Sequence, residues 1–284
     1  MHFSSLWPLL LAVPLLQGAE QSGIKMTFES EVGGNSNSRT TYHLGDRMRA
    51  EYRNSFGGKR HGDVRYGPRL ARIVRCDLGQ SFELNLDSSE YTSAPYPTKA
   101  LTRAETKARG LEGVGTRTAG SPTIRVEIRT TDTGERKEMF GREARHVITT
   151  TTSTPLEGSH SEAQESVADG WYIDFDQRLS CDPKPVKGKP GYIFSYLSAG
   201  NGKQPIEKRE FVRIGEAEMG FPLSVTTTSR RLPSTADGTV SSFGTRVTEF
   251  TEGPLDPALF EIPAGFKRVE RIERNPPASV AVKP

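Results

Sequence analysis

Apolar residues in this chain recur at every second position in runs of strand length, and that period sets what it can fold into. From the start of the first such run they fall at Ile24, Met26 and Phe28 and again at Val32, while Lys25, Thr27, Glu29 and Glu31 hold the alternate positions. The alternation returns at Phe82-Leu84-Leu86, Ile124-Val126-Ile128 and Trp171-Ile173-Phe175. Each run reads as a half-buried strand. Further strands are expected at 39–44, 46–52, 69–76, 144–152, 192–196, 210–214, 223–230 and 247–251. Turn residues stand between them at Gly45-Asp46, Leu78-Gly79, Asp132-Thr133-Gly134 and Asp237-Gly238, where Gly, Asp and Asn suit tight reversals. Strands joined by short turns, each with one apolar face, make an antiparallel meander. No helix-period segment separates successive strands, which disfavours a parallel α/β architecture. One helix is predicted over 98–109, with Ala100, Leu101, Ala104 and Ala108 on one face, Thr98 as N-cap and Gly110 as the stop. It either lies on the sheet surface or plugs the mouth of a curved sheet.

The first nineteen residues contain no Asp, Glu, Lys or Arg, and the apolar block from Leu6 to Leu16 ends in Gly18-Ala19. A block this short, interrupted by Pro8 and Pro14, fits a signal-peptide core better than a spanning helix, which needs roughly 20 apolar residues. The expected organisation is a signal peptide at 1–19, one sheet domain at 20–274 and a disordered tail at 275–284. The expected location is periplasmic or secreted, with no integral membrane span after signal removal.

The 38 basic and 35 acidic residues are too evenly balanced to argue for nucleic acid. They interleave, as in Glu135-Arg136-Lys137-Glu138, which is the pattern of a solvated sheet face. The two cysteines, Cys76 and Cys181, are either one disulfide, as an oxidising compartment permits, or two inert buried thiols. Neither has a Cys or His at metal-ligand spacing, so no metal and no cofactor is expected.

Catalytic signals are weak. Histidine is sparse, and no nucleophile-elbow, zinc-protease or phosphate-loop motif is present. Ser159-His160-Ser161 are loop neighbours, and Asp174 and Asp176 alternate with Trp171, Ile173 and Phe175, which assigns them to the solvent face. A hydrolase would need His61 or His146 within reach of both a carboxylate and a nucleophile. The chain is expected not to be an enzyme. Its aromatic middle section, with Trp171, Phe175, Tyr192 and Phe194, is either core or the wall of an apolar ligand cavity. Arg47 and Arg49 are candidates to meet an anionic headgroup at its rim.

The order of elements resembles the periplasmic lipoprotein-carrier fold and its uncharacterised secreted relatives. YHLGDRMRAEYRN and RLARIVRCDLGQSFELNLDSSEYTSAPYP are similar to the opening strands of that family through Gly45, Asp46, Arg49, Asp77, Gly79 and Tyr91. DTGERKEMFGREARHVI, DGWYIDFD and GFPLSV resemble later strands, and LDPALFEIPAGFKRV the closing segment, through Asp256, Phe260, Pro263, Gly265 and Phe266. The resemblance implies a mainly β fold: a strongly curved antiparallel sheet, an incomplete β-barrel, with one or a few covering helices. In the carriers the concavity holds acyl chains. This chain has Gly45 to Ala50 where they have a Pro-x-x-Phe-Arg-Trp strand. The functional expectation is a soluble exported protein, a carrier or envelope sensor, that binds a lipid, an acylated ligand or another apolar ligand in a half-barrel cavity. The alternative is an envelope interaction protein with a filled core.

Overall fold

The computed structural model describes residues 22–32, 35–58, 62–96, 123–182, 209–218, 220–232 and 240–275. The expected leader, the helix at 98–109, the strand at 192–196, His61, the turn at Asp237-Gly238 and the tail from 276 lie outside them.

The fold is nearly all β, one large curved sheet that does not close. Strands β1 (Ser22–Val32), β2 (Asn35–Leu44), β3 (Arg47–Gly58), β4 (Gly62–Arg75), β5 (Gln80–Asn85) and β6 (Glu90–Pro95) form an antiparallel meander. A second group follows: β7 (Ile124–Met139), β8 (Arg142–Pro155), β9 (Ala163–Ile173), β10 (Arg209–Ile214), β11 (Phe221–Leu232) and β12 (Ser241–Pro254). β12 pairs with β1 and so joins the groups into one sheet of order β10-β7-β8-β9-β11-β12-β1-β2-β3-β4-β5-β6-β13. The short β13 (Lys267–Arg268) ends it.

Two details depart from the sequence reading. The outermost pairs, β10 with β7 and β13 with β6, are parallel. Each is reached by a long connection that returns to the same end of its partner, which no local pattern announces. Asp132-Thr133-Gly134 is not a hairpin turn but an irregularity within β7, between the pairs Asp132↔Val147 and Arg136↔Arg145. Gly134, at φ 84°, takes the left-handed conformation that the extra residues require. The reversal itself comes later, at Phe140-Gly141. Among the described residues the helical turns are two 3-10 segments, η1 (Cys76–Leu78) and η2 (Pro257–Phe260).

The sheet buries two apolar clusters, and the register shows that they lie on opposite faces where β1 meets β2. Met26 stands across from Phe250, and Phe28 across from Val247, on the face of the first cluster. On β2 the direct partners of Ile24, Met26 and Phe28 are His43, Thr41 and Arg39. Tyr42 and Leu44, one residue out of step, face the other way and join Ala71, Ile73, Leu84, Phe82 and Tyr91 in the second cluster. Each fully buried aliphatic or aromatic side chain in these clusters contributes about 1.5–3 kcal/mol.

The second cluster is covered by the chain after β12. Leu255, Leu259, Phe260 and Phe266 pack on it, with Phe260 1% exposed. Asp256 starts η2 by accepting a hydrogen bond from the Ala258 N–H at 2.9 Å. Two buried arginines then hold this strap from below. Arg49 Nη1 donates to Leu259 O at 3.0 Å, and Arg75 binds Asp77 through two hydrogen bonds and Glu261 through one. Beyond β13 the chain passes to the opposite face, where Ile272 is buried, Glu273 O accepts from Asn85 Nδ2 at 3.3 Å, and Arg274 pairs with Glu83. Asn85 and Glu83 flank Leu84 on β5 and project away from it. The strap therefore wraps around the β6 edge.

Cys76 and Cys181, 105 positions apart in sequence, form a disulfide, with Cα atoms 5.5 Å apart. It ties the segment after β9 to the end of β4. Asp46 Oδ1 accepts from Ser180 N, and Tyr96 OH donates to Asp182 beside it.

Candidate functional site

Cluster one carries a row of phenylalanines. Phe28 meets Phe221 at 6.0 Å between ring centroids, and Phe175 meets Phe221 and Phe250 at 5.4 Å each, all edge to face. Phe140, at the β7–β8 reversal, stacks on Phe250 at 6.3 Å. Such pairs add about 0.5–1.5 kcal/mol beyond the area they bury. Phe28 and Phe175 stay only partly buried, and Phe140 is exposed.

Cations border this row. The Arg142 guanidinium lies 5.3 Å from the Phe250 centroid and 5.5 Å from that of Phe175, and it pairs with Glu252. Arg136, Arg142, Arg145 and Ile173, with Glu143 and Asp174, line an open hollow of about 400 Å³. Arg145 is fixed there by Glu218 at 2.8 Å and Asp174 at 2.8 Å, and these hydrogen bonds hold its guanidinium well above the ordinary range. Asp176 lies outside the hollow, bound to Arg178, which lowers its carboxyl to about 2.

The structure redistributes the residues singled out in the sequence. Phe175 belongs to the phenylalanine row. Arg49 is buried under the strap, its Nε on Glu51 at 2.6 Å, and Arg47 pairs with Asp77 at 3.6 Å. Both serve the second cluster and lie away from that row. Tyr192 and Phe194 lie outside the described residues. The arginines beside the aromatic row are Arg136, Arg142 and Arg145, which sequence reading missed. Their only local signal was the charge-rich hairpin that reverses at Phe140-Gly141.

Trp171 also packs against the first cluster, where it stands opposite His146 on β8 and Ser224 on β11. The His146 ring stacks on the indole at 4.8 Å, and Lys137 Nζ lies 3.9 Å from its centroid. His146 Nε2 is 2.8 Å from Asp169 Oδ1, and Nδ1 is 3.0 Å from Thr133 Oγ1. This is the carboxylate–imidazole–hydroxyl chain that a hydrolase needs. However, Thr133 Oγ1 also bonds His146 O and accepts from Glu135 N, both at 3.2 Å, so the hydroxyl braces the β7 irregularity. Trp171, Val167 and Asp169 of β9 with Ser224, Thr226 and Thr228 of β11 line a second open hollow of about 590 Å³. Ser159 and Ser161 form a turn through Ser161 N and Ser159 Oγ at 3.1 Å.

No family model matches the chain, and no curated protein matches it. Among solved structures, that of PNGF-II aligns with 88% of this chain and 31% of its own length, at 12% identity and a TM-score of 0.30. The chain thus spans less than a third of that protein. A DUF1329 family protein from Desulfovibrio piger aligns with 86% of this chain and 91% of its own, at 10% identity and a TM-score of 0.15. Scores this low carry no argument about either topology or role.

Proposed function

We propose that this chain is an exported, non-enzymatic protein that holds a lipid or other amphiphile against the phenylalanine row of its half-barrel. The observation that carries this reading is the adjacency of Phe28, Phe140, Phe175, Phe221 and Phe250 to the hollow lined by Arg136, Arg142 and Arg145. Partly covered rings supply apolar area for an acyl chain, and guanidinium groups match an anionic headgroup through bidentate hydrogen bonds. Export is supported by the charge-free leader and by the Cys76–Cys181 bond, which persists in an oxidising compartment. A second reading, an envelope interaction protein, is favoured by Phe211, 49% exposed on the outer strand β10. An exposed edge strand is a template for strand addition by a partner.

Native mass spectrometry of the mature protein from a periplasmic or secreted fraction tests the first reading. The expected result is an adduct of lipid mass that disappears on extraction, returns on adding an anionic phospholipid, and is reduced by Arg142→Leu. A bare mass that takes up no added lipid overturns it, and a partner pull-down with Phe211→Ser then tests the second.

A further inference from the structure

The hollow beside Trp171 has a chemistry unlike that of the phenylalanine row. Its three cross-strand pairs are Val167↔Thr228, Asp169↔Thr226 and Trp171↔Ser224, neighbours on one face of β9 and β11. The intervening pairs, Ala168↔Thr227 and Gly170↔Val225, project to the other face. The Ser224, Thr226 and Thr228 hydroxyls have no hydrogen-bond partner among the described residues. Asp169 uses Oδ1 on His146 and leaves Oδ2 toward solvent, its side chain 54% exposed. One wall is an indole, one floor is a ladder of hydroxyls, and one carboxylate stands between them, anchored by an imidazole.

We infer that this hollow is a binding site for a neutral saccharide. A sugar ring presents C–H groups that pack on an indole and hydroxyls that both donate and accept. The carboxylate accepts from two such hydroxyls, and Ser and Thr reciprocate in either sense. The volume of about 590 Å³ lies in the range of small-ligand sites, about 300–1,000 Å³. An acyl chain is disfavoured, because it would bury Asp169 and three hydroxyls without partners. A phosphate or other anion would meet Asp169 and Glu135, which lies 3.7 Å from His146. Lys137 Nζ and the stacked His146 ring border the indole, and the sugar packs on the part of it that lines the hollow.

The chain contains two tryptophans, Trp7 and Trp171. Trp7 lies in the expected leader, so in the mature protein, as in a full-length Trp7→Phe chain, Trp171 is the sole indole emitter and reports on this hollow directly. The test is a fluorescence titration with maltotriose, cellotriose and chitotriose. Saturable change with at least one of them is expected, weakened about tenfold or more by Asp169→Asn, a loss in the range of a charge-assisted hydrogen bond. Ser224→Val should weaken it to a lesser degree, and Lys137→Ala should retain it. Thermal melts of each variant confirm the native fold. No response to any of the three sugars overturns the inference, as does equal binding by Asp169→Asn. Tighter binding of a sulfated trisaccharide than of its neutral parent overturns the assignment of a neutral ligand. The lipid reading stands or falls separately, on the mass-spectrometric adduct and Arg142.

Discussion

Beneath the strap, the second cluster is closed by a segment of the same chain: Phe260 is sealed against Leu84, Ile73 and Ala71, and buried Arg49 and Arg75 bind the strap's carbonyl groups. On the first cluster, rings lean on one another, and Phe28, Phe175 and Phe140 keep part of their surface in water. Both regions start from equivalent alternating strands. The difference shows that an open sheet can assign stability to one half and accessible apolar surface to the other, according to where a covering segment lies.

Phe260→Ala tests the largest part of that contrast. It should lower unfolding free energy by about 3–5 kcal/mol, the cost of emptying a sealed aromatic site, read as a drop in urea midpoint. Phe28→Ala, from a partly exposed ring, should cost less than that and should weaken the lipid adduct instead. If the two costs come out in the reverse order, the halves do not divide the labour as described.

His43 lies on β2, where the apolar face changes sides, and sharpens the comparison through pH. Burial lowers its pKa to about 4, Arg39 pushing the same way and Asp182 against. The unfolded chain takes up the proton near 6.5, before the folded one does. Stability is therefore full above about pH 6.5 and falls as pH drops toward 4, by up to about 3 kcal/mol. His43→Gln should flatten that slope in denaturation curves between pH 7 and 4, and an unchanged slope would assign it to other groups.

The smallest effect is at Thr41, which faces Met26 and Ala50 across the strands. Its Oγ1 is buried with no hydrogen-bond partner among the described residues. Thr41→Val should raise stability by about 1 kcal/mol, since an unpaired buried hydroxyl is replaced by a methyl of similar size. A loss of stability would mean that the hydroxyl is satisfied.

Much of the strapped half was legible as motif. Gly45, Asp46, Arg49, Asp77, Gly79 and Tyr91 prove to be its turns, ion pairs and packing, and Asp256, Phe260 and Phe266 its strap. The open half was legible as strands but not as a site. Arg142 meets Phe175 and Phe250 across gaps of 33 and 108 residues, and alternation carries no record of such distant neighbours. β6 was also missed as a strand, because Glu90–Pro95 has mixed polarity and is fixed by its neighbour β5.

Side-chain period and turn conformation are local properties, so alternation alone was enough to place strands with one apolar face each, and turn residues to place the reversals at Gly45-Asp46 and Leu78-Gly79. Tertiary structure alone decided that β12 joins β1, that the apolar face changes sides at β2, that the strap rounds the β6 edge and that Cys76 meets Cys181. Those outcomes depend on which distant surfaces bury each other, a choice made by the packing of the whole sheet.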